Sequence, residues 1–255
     1  MNAMPEPIPA ATLVLMRPSS QPGSPPDLLM MERTQKMTFA AGALVFPGGR
    51  IEADDHATAA VLGEEWPDAV ARIASIRETI EETGIAPALT PCPGPEVVAA
   101  IREALAREEP FAALLDLHGL ALNLGALTHF AHWCPAFEDV PRRFDTHFYL
   151  AEAPENGCEA TVDPREATRV VWMSAAEVIE AADAGNAHII FPTRRNLERL
   201  ALFSSHEEGV AHARAHPVQM VVPWFEERDG GTFLCIPEAL GYPITSEPIE
   251  GAMRG

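Results

Sequence analysis

Short apolar runs and amphipathic stretches succeed one another along the chain. The runs Ala10–Met16, Leu28–Glu32 and Gly42–Phe46 predict three strands. The Pro/Ser/Gly-rich stretch Pro18–Asp27 predicts a loop between the first two. The third run meets Pro47-Gly48-Gly49, which is not expected to continue a strand. Asp68–Thr83 predicts a helix that stops at Gly84, a residue suited to a left-handed cap. At helical spacing, Ile73, Ile76 and Ile80 fall on one face, and Glu78, Glu81 and Glu82 fall opposite. The Leu-rich stretch Pro95–Gly125 predicts two or three short helical pieces. Strands follow at Leu127–Trp133, Phe144–Ala151 and Arg169–Met173. In the second of these, Phe144, Thr146, Phe148 and Leu150 alternate with Asp145, His147 and Tyr149. Ser174 with Glu177 fits a helix start, and another helix is expected from Pro192 to Phe203. Pro217–Glu226 and Thr232–Ile236 fit a late hairpin. Most strands lie too close together for βαβ crossovers, so the fold class is α+β, with a mixed sheet flanked by helices in one domain, 1–255.

Composition narrows the functional classes. The 255 residues are 47% hydrophobic and 22% charged, which excludes wholesale disorder. A net charge of −19 argues against polymeric nucleic acid as a partner. Small phosphate-bearing substrates stay open, because a bound divalent metal reverses the local sign. No run reaches 18 apolar residues, so no membrane span is expected. The N-terminus lacks signal-peptide features, and Cys92, Cys134, Cys158 and Cys235 contain no CxxC pair. These features point to a cytoplasmic protein with reduced thiols.

Three carboxylates at i, i+3 and i+4 repel one another, and a hard divalent cation such as Mg2+ or Mn2+ removes that repulsion. Taken alone, the same arc also describes a solvated helix face. Its surroundings change the weighting. Gly49 precedes Glu52, Asp54 and Asp55, and then comes Arg77-Glu78-Thr79-Ile80-Glu81-Glu82-Thr83-Gly84-Ile85. This resembles the Nudix box, Gx5Ex7REUxEExGU, in which U is a bulky aliphatic residue. Arg77, Glu78, Ile80, Glu81, Glu82, Gly84 and Ile85 are read as matching it. Asp55 stands six residues after Gly49 in place of the first Glu, and 21 residues separate it from Arg77, where the box has seven. The extra residues include the insert His56–Pro67. Arg33 and Phe39, Trp133-Cys134-Pro135, Arg142 to Thr146 with Phe148, and Phe191-Pro192-Thr193 with Leu197 and Leu200 resemble the Nudix motif 19 branch. That branch contains a peroxisomal coenzyme A diphosphatase, and the resemblance spans roughly residues 10–203. The coenzyme A signature is partial: Leu28-Leu29, Gly42 and Phe46 to Gly49 fit, but Met30 stands where Thr is expected.

The resemblance implies a Nudix α/β/α sandwich with a helical insert at about 95–125 and a C-terminal extension at 207–255. It implies Mg2+ (or Mn2+) held by Glu78, Glu81 and Glu82 with Gly49, and an Arg77 that orients the glutamates. Glu82 and Glu166 are candidates for the general base. Candidate substrate contacts are Arg33, Gly48, Gly49, Arg50, Arg142 and Arg143, the last two because arginine forks suit phosphate. The implied reaction is hydrolysis of a diphosphate linked to another moiety, with coenzyme A or acyl-CoA as leading substrate. NADH, ADP-ribose or another nucleotide is the alternative, and a binding or sensing module without turnover is a third reading. His129 and His132, three apart on a strand, are expected on opposite faces and so not on one metal. Asp145 and His147 share a face. Residues 207–255 carry no readable motif, so capping the cleft and forming a homodimer interface are both open to them.

Overall fold

The computed structural model describes residues 5–35, 40–62, 66–136, 142–155 and 158–252. Phe39, residues 63–65 of the box insertion and residues 253–255 lie outside them. The first apolar run becomes the central strand β1 (Ile8–Arg17), longer at both ends than expected. β2 (Asp27–Arg33) returns antiparallel to it. β3 (Leu44–Val45) is shorter than the expected third strand, because the chain changes partner at Pro47. Proline has no N–H to donate, but its carbonyl accepts from Leu13 N at 2.9 Å. Gly48–Arg50 then forms β4 against β1, so the glycine pair does enter a strand. Only glycine fits at Gly48, where a Cβ would lie 2.4 Å from Ala11 O.

Helices α1 (Ala53–Leu62) and α2 (Ala69–Thr83) come next. The insertion therefore extends a ten-residue helix that starts before His56. The expected helical region 95–125 contains α3 (Pro95–Leu105) and α4 (Phe111–Leu117). It also holds a strand: β5 (Leu89–Thr90) pairs with β6 (Ala121–Leu122) in a small ribbon. β7 (Thr128–Trp133), β8 (Phe144–Glu152) and β9 (Ala167–Ser174) follow as expected within two residues. α5 (Ala175–Asp183) starts at the expected Ser174–Glu177 capping box. α6 (Phe191–Leu200), α7 (His206–Ala215), β10 (Met220–Val221), β11 (Trp224–Arg228), β12 (Gly231–Cys235) and β13 (Ser246–Pro248) follow, with a last short helix at Ile249–Ala252. α7 was not legible in the sequence, and only the inner parts of the expected late hairpin pair, as β11 and β12.

The main sheet runs β10-β7-β8-β1-β2-β3, with β4 added to β1 and β9 to β2. β1 is parallel to β8 and β10 to β7, and the other pairings are antiparallel. Both faces are covered, which explains the nearly continuous apolar run of β1. Ala11, Leu13, Leu15, Tyr149 and Ala151 pack beneath α2 with residues of α3 and α4. Val14, Met16, Phe148 and Leu150 face the other way, toward α5, α6 and α7. The expected alternation in β8 is borne out by this division.

The C-terminal region joins the second core instead of hanging free. Tyr242 OH accepts from Trp133 Nε1 at 2.8 Å and donates to Asn196 Oδ1 at 3.1 Å, all three buried. Tyr242→Phe strands both partners, and a loss of about 1–3 kcal/mol is expected. Urea unfolding checks this; an unchanged midpoint would show that the bonds do not tie the extension down. No helix among the described residues is long and apolar enough to cross a membrane.

Candidate active site

α2 ends where expected, with Gly84 in the left-handed conformation at φ 69° and its N–H bonded to Ile80 O. Ile73, Ile76 and Ile80 are fully buried on the sheet side. The acidic side is not a solvated face. Glu82 is 3% exposed, and its Oε2 accepts from Gly48 N at 2.8 Å. The Glu78 side chain is 12% exposed and lies against Gly49. A Cβ on Gly49 would come 2.4 Å from the Glu78 carboxyl carbon. Gly49→Ala is therefore expected to push the end of a flexible side chain aside, at little cost in stability. It should lower kcat about a hundredfold, since displacements of about 1 Å have that effect. Thermal melting beside turnover separates the two, and unchanged turnover would remove Glu78 from the site. Counted along the box, the aliphatic position between Glu78 and Glu81 falls on Thr79, and Ile80, read above as a match, stands at the unconstrained position. Thr79 is fully buried there, with its hydroxyl donated to Ser75 O at 2.7 Å.

Arg77 organises the cluster. Its Nε and Nη2 donate to Asp55 Oδ1 and Oδ2 at 2.9 and 3.0 Å. Its Nη1 lies 3.0 Å from Glu78 Oε1 and 3.2 Å from Glu81 Oε1, and Nη2 also reaches Arg50 O at 3.1 Å. Asp55 is completely buried and also accepts from Glu52 N at 2.8 Å. The insertion thus leaves Asp55 in register with Arg77: α1 carries Asp55 in its first turn, and α2 begins at Ala69.

One guanidinium cannot neutralise this many carboxylates. Burial pushes the Glu82 carboxyl well above the usual range, Glu78 and Glu166 add to the rise, and the Gly48 N–H and Arg33 oppose it. Burial likewise pushes Glu78 up to about 8, against the pull of Arg77. Glu81, less buried, is raised by the same cause. Burial disfavours the Arg77 charge, but Asp55, Glu78 and Glu81 outweigh it and hold the group protonated. These hard oxygen donors, short of positive charge, fit a divalent cation.

The other candidates divide. Glu166, in the loop before β9, raises all three glutamates by its charge, so it borders the cluster. Its backbone oxygen is fixed by Thr34 N at 2.9 Å. Arg33 acts on Glu82, and its buried Nε has no hydrogen-bond partner among the described residues. Arg50 contributes its carbonyl to Arg77, while its side chain is exposed. Arg143 hydrogen-bonds Cys134 and neighbours Asp145, and Arg142 beside it is exposed. No described contact joins this arginine pair to the glutamates. A cavity of about 620 Å³ lies at the far end of β1, lined by Arg17, Glu152 and Trp172 among others. It shares no residue with the cluster. The geometry also corrects the histidine expectation. A bulge between His129 and Ala131 breaks the two-residue period, and His129 Nε2 meets His147 Nδ1 at 3.0 Å while His132 stacks on the same His147.

No family model matches the chain. It is 28% identical over 246 residues to the acyl-coenzyme A diphosphatase NUDT19 of Gallus gallus, a match covering 74% of this chain and 65% of that one. The chain thus spans less than two thirds of that relative's length. A NUDIX hydrolase from Alicyclobacillus acidocaldarius has a similar structure, with a TM-score of 0.70 and 25% identity over 82% of this chain and 97% of the other. Fold, box spacing and these two likenesses agree, and together they support a Nudix hydrolase of the NUDT19-like branch.

Proposed function

We propose that the protein hydrolyses the diphosphate of coenzyme A or acyl-CoA, giving 4′-phosphopantetheine, or its acyl form, and 3′,5′-ADP. The observation that carries the reaction type is the buried, under-neutralised set Glu78, Glu81 and Glu82 packed on Gly48 and Gly49. The substrate class is supported by the likeness to a protein described as an acyl-coenzyme A diphosphatase. Glu78, Glu81 and Glu82, with Gly49, would hold Mg2+ or Mn2+. Bound there, the cation stabilises charge developing on phosphoryl oxygens and acidifies the attacking water.

The chain's own residues supply the rest. Arg77 fixes the direction of Glu78 and Glu81 from its anchor on Asp55. The Gly48 N–H fixes Glu82. Glu166 borders the cluster and accepts the proton of the water whose oxygen attacks phosphorus, as the bridging P–O bond breaks. Arg33 supplies positive charge beside Glu82.

The test is Mg2+-dependent turnover of CoA, acyl-CoA, NADH and ADP-ribose, with the Glu81→Gln/Glu82→Gln protein alongside. Release of 3′,5′-ADP from CoA or acyl-CoA, absent in the double variant, is the expected result. Preferred release of AMP from NADH or ADP-ribose would replace the substrate assignment and keep the site. No turnover of any of the four would overturn the reading in favour of a binding module.

A further inference from the structure

β7 and β8 place a second set of metal-type donors outside the glutamate cluster. His132 and His147 are direct cross-strand partners, and their rings stack at 4.1 Å between centroids, tilted by 15°. His132 Nε2 is hydrogen-bonded to Asp145 Oδ1. One donor atom each from His132, Asp145 and His147 lie within 4.8 Å of one another, the one such group of three among the described residues. The side chains of His132 and Asp145 are 16% and 29% exposed, open enough for an ion to enter and partly desolvated.

The surroundings fix the orientation. His147 Nδ1 is engaged by His129 Nε2 at 3.0 Å, which leaves His147 Nε2 for another partner. His129 Nδ1 lies 4.0 Å from Asp68 Oδ2, which accepts from Tyr149 OH at 3.0 Å. A ligating imidazole commonly has its second nitrogen held in this way.

Two imidazoles and one carboxylate suit a zinc-class transition ion, whereas all-oxygen sets suit Mg2+. Three protein ligands leave the fourth position of a tetrahedral site open. The site is also separate from the glutamates. Ala11 pairs with His147 on one side and with Gly49 on the other. Two strand spacings put the Gly49 backbone roughly 10 Å from that of His147, and none of the glutamates falls within the donor group of His132, Asp145 and His147. We infer that His132, Asp145 and His147 form a second metal site, selective for a zinc-class divalent cation, on the sheet face that carries the glutamate cluster.

The test uses the full chain stripped of metal and held in excess Mg2+, titrated with Co2+ by visible absorption and with Zn2+ by calorimetry. The wild type and the Glu81→Gln/Glu82→Gln protein should both show intense tetrahedral Co2+ bands and bind one Zn2+ per chain. His147→Asn and Asp145→Asn should each weaken Zn2+ binding by about a hundredfold or more and abolish the bands. His129→Ala, one shell out, should weaken it by about 10- to 100-fold. Asp145→Asn, at the partly exposed edge, keeps the test valid if a histidine variant misfolds, which circular dichroism would show. Bands lost with the glutamates, bands that survive both ligand variants, or no Zn2+ binding at all would each overturn the inference.

Discussion

Glu82→Gln is expected to lower Mg2+-dependent turnover about a thousandfold while the metal-free variant melts at or above the wild-type temperature. The amide has nearly the shape of the carboxylate, and its oxygen can keep the Gly48 N–H bond. What disappears is the charge, which contributes several kcal/mol to holding the cation and hence about three powers of ten in rate. The stability effect runs the other way. The folded protein raises the Glu82 carboxyl through burial and the nearby Glu78, so the folded state holds a proton that the unfolded state has released. Stability from such a group is present at low pH and declines as pH rises through the ordinary carboxylate range toward the raised value. Glu78, pushed up to about 8, extends that window toward neutrality. Metal-free wild type should therefore lose melting temperature between about pH 5 and 8, and the variant should lose less. Added Mg2+ should restore the wild type most at the upper end and the variant little. A variant with normal turnover, or a metal-free melting temperature well below wild type, would contradict the assignment of Glu82.

Arg77→Met is expected to cost about 3–5 kcal/mol, the penalty for leaving a buried charge without its partner. Asp55 is fully buried and receives two bonds from Arg77, so it is the group left stranded. Glu78 and Glu81 lose their common cation as well, and turnover should fall with them. The double variant Asp55→Asn/Arg77→Met removes the stranded charge and should recover part of the stability without recovering activity. A double-mutant cycle in urea measures this, with a coupling of about 1–3 kcal/mol expected. Additive losses would mean that Asp55 and Arg77 do not act together. Asp55 would then have no claim to the place of the first glutamate of the box.

Much of this site was legible because it is local. The helix, its stop at Gly84 and the opposed isoleucine and glutamate faces all follow from 3.6-residue periodicity within one segment. The Ser174–Glu177 cap is local in the same sense. What the periodicity could not give was the environment of the acidic face. Gly48 N on Glu82 joins positions 34 residues apart, and Arg77 on Asp55 joins positions 22 apart across an insertion. The burial that raises Glu78 and Glu82 exists only once β4 is placed on β1.

The histidines show the opposite limit. Strict alternation separates His129 from His132, but one bulge in β7 brings both beside His147. Likewise, nothing within residues 207–255 announces that Tyr242 ties Trp133 to Asn196. By itself the sequence determined the mixed α+β character, the carboxylate helix and the chemistry it offers, because those depend on residue type and short-range spacing. The tertiary structure alone decided which carboxylates are buried, that Asp55 anchors Arg77 across the insertion, and that a second donor set lies two strands away. Charge, burial and strand register are properties of neighbours brought together by folding.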